Sequence, residues 1–285
     1  MKLLVIGDFH GKFPKKLQNR IKKEKVDLVV SLGDYSSWSL ISEFFKHCYR
    51  KDIELWEVVG KTKYKESTLK DLKTGQRIIS QLNNLPMKVI SITGNHDFTK
   101  WKEAHKMYDK PVRSKWKWPY KERFSSLIKN FKNIEIFDWS YVKFRGFVFI
   151  GYPNSNFPGH VQSKQYRLQR KKLDKLFNRF KKENKEGKVI FVSHNVPYGS
   201  KLGVVTAKTA HEKARGKNHG SKLARRIIDK WRPRLVLCGH MHEHQGTDKI
   251  GKSLILNSGP AFESKAVVID IDENMKKKIK VKFIK

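Results

Sequence analysis

The chain has 285 residues, with 62 Lys and Arg against 27 Asp and Glu and a formal net charge of +35 at pH 7. At 38% apolar and 12% aromatic residues it is too hydrophobic for a disordered chain, and its length allows a core burying roughly three quarters of the unfolded surface. No run approaches the roughly 18 apolar residues of a membrane span. The two distant cysteines, Cys48 and Cys238, form neither a disulfide framework nor a CxxC zinc motif, and the first residues enter a strand directly. The expectation is a cytoplasmic protein with no membrane partner.

Taken in chain order, Lys2–Ile6 is an apolar run closing on Gly7-Asp8 and reads as a buried strand. Residues 17–25 form a basic amphipathic helix. Residues 26–31 are a second buried strand, again followed by Gly-Asp, here Gly33-Asp34. A helix over 69–82 leads to a third strand, 87–92, which ends in Gly94-Asn95-His96-Asp97. Strands follow at 147–150, 188–192 and 234–237, the last two stopping before Ser193-His194 and Cys238-Gly239-His240; helices are predicted at 164–182 and 221–231. Ser253–Asn257, Ala266–Asp270 and 279–284 are short and alternating, and read as antiparallel strands edging a second sheet. Alternating strand and helix predicts an α/β protein. No repeat or Pro/Gly-rich linker divides the chain, so residues 1–285 are expected to form one domain. Elaborated loops are expected at about 43–66 and 99–132, with a polar stretch at 201–218.

Five strands thus end in side chains able to bind metal, at the carboxyl ends where open α/β sheets place their chemistry. Asp8 and His10 are two positions apart and can reach one side of a strand end. Asp34 is a carboxylate with two oxygens, able to bridge two cations. Asn95 offers a neutral oxygen, and His194, His240 and His242 offer imidazoles. This mixture of nitrogen and oxygen donors suits two divalent ions such as Mn, Fe or Zn and does not choose among them; Mn is the favoured expectation. Singly, a DxH or a GHxH is a weak signal; the ordered set, each behind an apolar strand, is specific.

The series Asp8-x-His10, Gly33-Asp34, Gly94-Asn95-His96-Asp97, His194 and Gly239-His240-x-His242 resembles the blocks of the calcineurin-like metallophosphoesterase superfamily and spans positions 8 to 242. The stretch from Leu237 to Glu243, after Gly220-Ser221 and a helix, is similar to the Icc-related archaeal phosphoesterases. The resemblance implies a four-layer α/β/β/α sandwich of two mixed sheets. It implies one metal held by Asp8, His10 and His242, the other by Asn95, His194 and His240, and Asp34 between them. The segment 43–66 is longer than the family's usual spacing. Such a centre hydrolyses phosphoesters by in-line attack of a metal-bridging hydroxide. His96 is the expected general acid, because imidazole titrates near neutrality, and Asp97 is expected to orient its ring.

Asn95, His219 and Ser221 are candidate substrate contacts. Ser221 precedes a helix and fits either an N-cap or a phosphate site. His244 reads as a surface residue near the site. Three stretches (99–132, 164–188 and 201–234) concentrate the basic charge. They suit nucleic acid as a polyanionic partner, or are a solvated surface set by composition alone. Trp101, Trp116, Trp118 and Tyr120 interleave with lysines in the first stretch, as stacking sites for bases or as the small core of a cap. The leading expectation is a phosphodiesterase acting on nucleic acid or nucleotides. A phosphomonoesterase or phosphoprotein phosphatase has the same metal requirements, and a catalytically silent binding protein of the same fold is the third reading.

Overall fold

The computed structural model describes residues 1–49, 51, 53–97, 116–121, 123–153, 160–208, 210, 212–274 and 278–285. Its strands form two six-stranded sheets. In the first, β1 (Lys2–Ile6), β2 (Leu28–Ser31), β3 (Lys88–Ser91) and β4 (Ile134–Ile136) run parallel. The antiparallel β11 (Ala266–Asp270) and β12 (Lys280–Ile284) extend the sheet beyond β1. In the second, β6 (Phe147–Tyr152), β7 (Val189–Asn195), β8 (Leu235–Gly239) and β10 (Ser253–Asn257) are parallel. This sheet is flanked by antiparallel β5 (Tyr141–Phe144) and β9 (Gly246–Ile250).

The parallel strands are continuous apolar runs because both of their faces are buried. Side chains alternate across a strand, so in β1 Leu3 and Val5 face the other sheet while Leu4 and Ile6 face helices. The register Leu3↔Leu28 and Val5↔Val30 keeps the inward residues of neighbouring strands level. Between the sheets lie Leu3, Val5, Val30 and Ile90 against Phe149, Ile190, Val192 and Leu237. Outside the first sheet, Leu4, Ile6 and Val29 pack on Leu17 and Ile21 of the Lys15–Lys23 helix and on Ile78 and Leu82 of the Lys61–Asn83 helix. Outside the second, Ile150, Phe191 and Val236 pack on Leu173 and Phe177 of the Lys164–Arg179 helix and on Leu223 and Ile227 of the Lys222–Trp231 helix. Each such side chain contributes about 1.5–3 kcal/mol on burial. The result is the four-layer α/β/β/α sandwich of two mixed sheets.

The C-terminal strands divide differently from the expectation. β10 lies inside the second sheet, parallel to β8, and β11 with β12 edges the first sheet. Segment 43–66 is mostly helical: a π-helical turn at Phe44–Cys48, a helix at Leu55–Val59 with Glu54 and Glu57 in a capping box, and the first residues of the Lys61–Asn83 helix. Residues 99–115, with Trp101, lie outside the described residues. Trp116 and Trp118 stack on each other, with ring centroids 5.7 Å apart, and meet Trp56 and Tyr64 edge-on. Lys61, Lys65 and Arg123 lie over these rings. These tryptophans therefore pack together as a small cluster. Among the described residues, no helix is long and apolar enough to cross a membrane.

Candidate metal centre

The tips of β1, β2 and β3 meet those of β7 and β8 at one end of the sandwich. Beyond its last strand residue β1 stays zipped to the β2 loop: the Asp8 N–H donates to Gly33 O (2.9 Å), and those of Phe9 and His10 donate to Asp34 O (2.8 and 2.9 Å). The loop after β3 crosses so closely that a Cβ on Gly94 would sit 2.1 Å from Asp34 Oδ1, and one on Gly33 would sit 2.1 Å from Gly94 N. Gly33 also has φ +88°, a region that L side chains rarely adopt. Gly94→Ala is expected to cost about 1–3 kcal/mol by forcing the loops apart. In thermal denaturation this reads as a Tm lowered by several degrees, and an unchanged Tm would show that the loops can separate freely.

Four residues of the centre hold left-handed backbone: Asp8 (φ 55°), His10 (φ 43°), Asp34 (φ 57°) and His240 (φ 66°). Such conformations cost L-residues roughly 1–2 kcal/mol each and persist where surrounding contacts enforce them. Here they turn side chains from separate loops toward one point.

Asp8, His10 and His242 form one group whose ligand atoms lie within 4.8 Å of one another; Asp34, His194 and His240 form a second. His10 Nε2 and His242 Nε2 are 3.1 Å apart, and His242 Nε2 is 3.6 Å from Asp8 Oδ1. In the second group His194 Nδ1 donates to Leu32 O (2.7 Å), which turns Nε2 toward Asn95 Oδ1 (2.9 Å) and Asp34 Oδ2 (3.4 Å). Asp34 stands between the groups. Its Oδ1 accepts the His96 backbone N–H (2.8 Å). Its Oδ2 is buried without a hydrogen-bond partner, 3.6 Å from His10 Nε2. A buried carboxylate oxygen left without a donor is costly unless a cation completes it. The orphaned oxygen and the ring of nitrogen and oxygen donors around it fit two divalent ions.

The local electrostatics show the same demand for positive charge. Burial raises the Asp34 carboxyl, but His194 and His96 outweigh it and hold Asp34 well below its ordinary value. Burial opposes charge on His194, yet Asp34 pushes it up to about 9. A cation held at this point would offset the negative charge of Asp34 that otherwise favours protonated His194. His240 is driven well below its usual value by burial and by His194.

His96 joins His10 and Asp34 in a third close group. Burial lowers its imidazole to about 4, against the pull of Asp34, and its ring lies 4.3 Å from that of Trp38. The expectation that Asp97 orients the His96 ring does not hold. Asp97 is fully buried, and its oxygens accept backbone N–H groups of Gly94 (2.7 Å), Asp34 (2.9 Å) and Tyr35 (2.7 Å). Its carboxylate clamps the β2 and β3 loops together, while burial and the charge of Asp34 push it up to about 7. Asp97→Asn is expected to turn an amide N–H against a backbone N–H and to destabilise the fold by about 1–3 kcal/mol. Urea unfolding measures this, and an unchanged midpoint would remove the clamp.

The three substrate-contact candidates separate. Asn95 lies among the ligand atoms. Ser221 is fully buried; its Oγ accepts the Ala224 N–H (3.1 Å) as the N-cap and lies 3.2 Å from Tyr152 Oη, so its hydroxyl is engaged in capping the helix. His219 is tethered by its backbone to Gly203 O and to the Asn195 side chain, beside the strand that carries His194. His244 Nε2 faces Val204 O and pairs with Glu243. The aromatic group around Trp38 was missed. Its signal was a run of rings, Trp38, Phe44, Phe45 and Tyr49, just after the Gly33-Asp34 tip.

The family of calcineurin-like phosphoesterases matches residues 1–244. Uncharacterized protein MJ1162 of Methanocaldococcus jannaschii is 31% identical over 108 residues, which is 35% of this chain and 46% of the relative. The match thus spans about half the length of that relative. Among solved structures, TT1561 of Thermus thermophilus aligns over 99% of this chain and 97% of its own, at 14% identity and a TM-score of 0.53. A dimetal phosphatase from Danio rerio aligns over 100% and 96%, at 12% identity and a TM-score of 0.52. At such identities the two structures show a shared fold.

Proposed function

This chain belongs to the calcineurin-like phosphoesterase family, and from that premise we propose that it is a dimetal phosphodiesterase acting on nucleic acid or nucleotides. Hydrolysis of phosphoester bonds is the activity of the family; the diester and nucleotide specificity is our reading. The observation that carries the chemistry is the orphaned, buried Asp34 Oδ2 between two clusters of metal-ligating side chains. Asp8, His10, Asp34 and His242 would hold one ion, and Asp34, Asn95, His194 and His240 the other. Bound there, two divalent ions supply Lewis acidity and an activated water for in-line displacement at phosphorus. The mixed donors suit Mn, Fe or Zn alike, and manganese is the ion proposed.

The chain's own groups do the rest. His194 is locked in one tautomer by Leu32 O, and Asp97 fixes the spacing of the loops that carry Asp34 and Asn95. His96 delivers a proton to the leaving oxygen. Burial holds it neutral in the free protein, and the negative charge of a phosphoester favours its protonated form on binding. Asn95 and His219 contact the phosphoester. The net charge of +35 supports an anionic, polymeric or nucleotide substrate of the cytoplasm.

The purified protein with Mn²⁺ is expected to hydrolyse bis-p-nitrophenyl phosphate and labelled single-stranded RNA or DNA, and to lose both activities with EDTA. Turnover of p-nitrophenyl phosphate alone would replace this reading with a monoesterase, and no turnover at all with a binding protein. Nucleic-acid affinity is expected to fall at least tenfold between about 50 and 200 mM salt, because each phosphate contact releases counterions. A flat response would make the basic surface incidental.

A further inference from the structure

Beside the metal centre, an aromatic ledge runs outward from His96. The Trp38 ring lies 4.3 Å from the His96 ring, Phe44 and Phe45 follow at 5.1 and 6.0 Å from Trp38, and Tyr49 lies 5.4 Å from Phe45. The outer end is open: Phe45 is 46% exposed and neighbouring Ile41 42% exposed. Two further features mark the ledge as built. Phe44 and Phe45 sit on a π-helical turn, Phe44–Cys48, a rare arrangement that is frequent at functional sites. The turn carrying Trp38 is held by Asp71, a carboxylate only 3% exposed on the Lys61–Asn83 helix. Asp71 accepts Ser37 Oγ (2.6 Å), the Ser39 N–H (3.1 Å) and Ser39 Oγ (3.0 Å).

We infer that this ledge is a base-stacking subsite, in which Trp38 and Phe45 receive the nucleobase on the leaving side of the scissile phosphoester. The inference rests on the phosphodiesterase reading for the leaving side alone. His96 stands at the inner end of the ledge, so the group whose oxygen it protonates lies over Trp38. A ribose separates a base from its phosphate, and the base therefore falls further out, toward Phe45. A flat π-face suits stacking on rings, and exposed Lys46 on the same turn favours an anionic ligand. Asp71 acts as a positioning residue.

The test uses the full-length, Mn²⁺-loaded protein. Calorimetric binding of adenosine 5′-monophosphate is compared with that of ribose 5-phosphate, and kcat/KM for a dinucleotide with that for the same compound carrying an abasic sugar on the leaving side. The base-bearing compound is expected to be favoured roughly tenfold in both. In Phe45→Ala the preference ratio falls toward one, and in Phe45→Trp it is retained. A merely structural role would lower both members of each pair alike and leave the ratio standing. No preference for the base in the wild-type protein, or an undiminished preference in Phe45→Ala, would overturn the subsite. A retained binding preference without cleavage of either dinucleotide would sink the phosphodiesterase reading and leave the ledge in place.

Discussion

Asp34→Asn is expected to lower phosphoester hydrolysis by roughly a thousandfold or more and to abolish the thermal stabilisation that Mn²⁺ confers. Asp34 Oδ2 lies 3.6 Å from His10 of one ligand cluster and 3.4 Å from His194 of the other, and the substitution removes a full negative charge from a site walled by imidazoles. The amide can still accept the His96 backbone N–H at Oδ1, so the loop anchor survives. The orphaned oxygen becomes an NH₂ group facing His10 and His194, which cannot bind a cation. Loss of an outer hydrogen-bond partner of a ligand costs about 10–100-fold in metal affinity, and loss of the shared ligand exceeds that. At ligand concentrations near a hundred times Kd, metal binding stabilises a fold by about 2.7 kcal/mol. Scanning calorimetry should therefore show a Tm rise with Mn²⁺ in the wild type and none in the variant, while the metal-free Tm stays close. A variant that still gains stability from Mn²⁺ and still turns over would refute the bridging role proposed for Asp34.

His96→Ala is the second large effect, and it depends on the leaving group. General acids contribute about 10²–10⁴-fold where the leaving oxygen needs a proton, and little where it departs as a stable anion. The variant is expected to lose roughly that factor in kcat on a dinucleotide and only a few-fold on a p-nitrophenyl ester. Metal content should be retained, because His96 supports Asp34 through its backbone N–H, which alanine keeps. Elemental analysis of the variant checks this. Losses of equal size on both ester types would take His96 out of the acid role and make it a ligand or a wall of the cleft.

The strands that carry the centre were readable because burial on two faces demands uninterrupted apolar side chains. VDLVVS, MKVISI and RLVL are short apolar runs of this kind, each bounded by a polar tip. The strands that escaped detection are at or near sheet edges and short: IEI at β4, YVKF at β5 and GTDKI at β9. Their sequences are half polar because each lacks a neighbour on one side or is only partly covered, so no hydrophobic period stands out. The assignment of β11 and β12 to the first sheet was equally hidden. Pairing such as Leu3↔Ile269 joins residues from opposite ends of the chain, and no local pattern encodes it. The early start of the long helix at Lys61 follows from Gly60 and the Leu55–Val59 turn before it, within a segment whose charge reads as loop.

Residue identity and local pattern were enough to nominate the candidate donor set: which carboxylates, imidazoles and amide are able to bind metal, and that apolar strands present them. That follows because ligand chemistry belongs to a side chain's identity, and strand-end position follows from local hydrophobicity. Folding decided the partners. Asp97 became a loop clamp because three backbone N–H groups from two loops converge on it, and Ser221 became a cap because its hydroxyl is sealed beside Tyr152. The aromatic ledge likewise brings together distant parts of the chain: Asp71 on the Lys61–Asn83 helix accepts from Ser37 and Ser39 on either side of Trp38, whose ring lies 4.3 Å from that of His96. Hydrogen bonds and ring contacts act over a few ångströms in space, whatever the separation along the chain, so the roles they assign appear only once the backbone has closed.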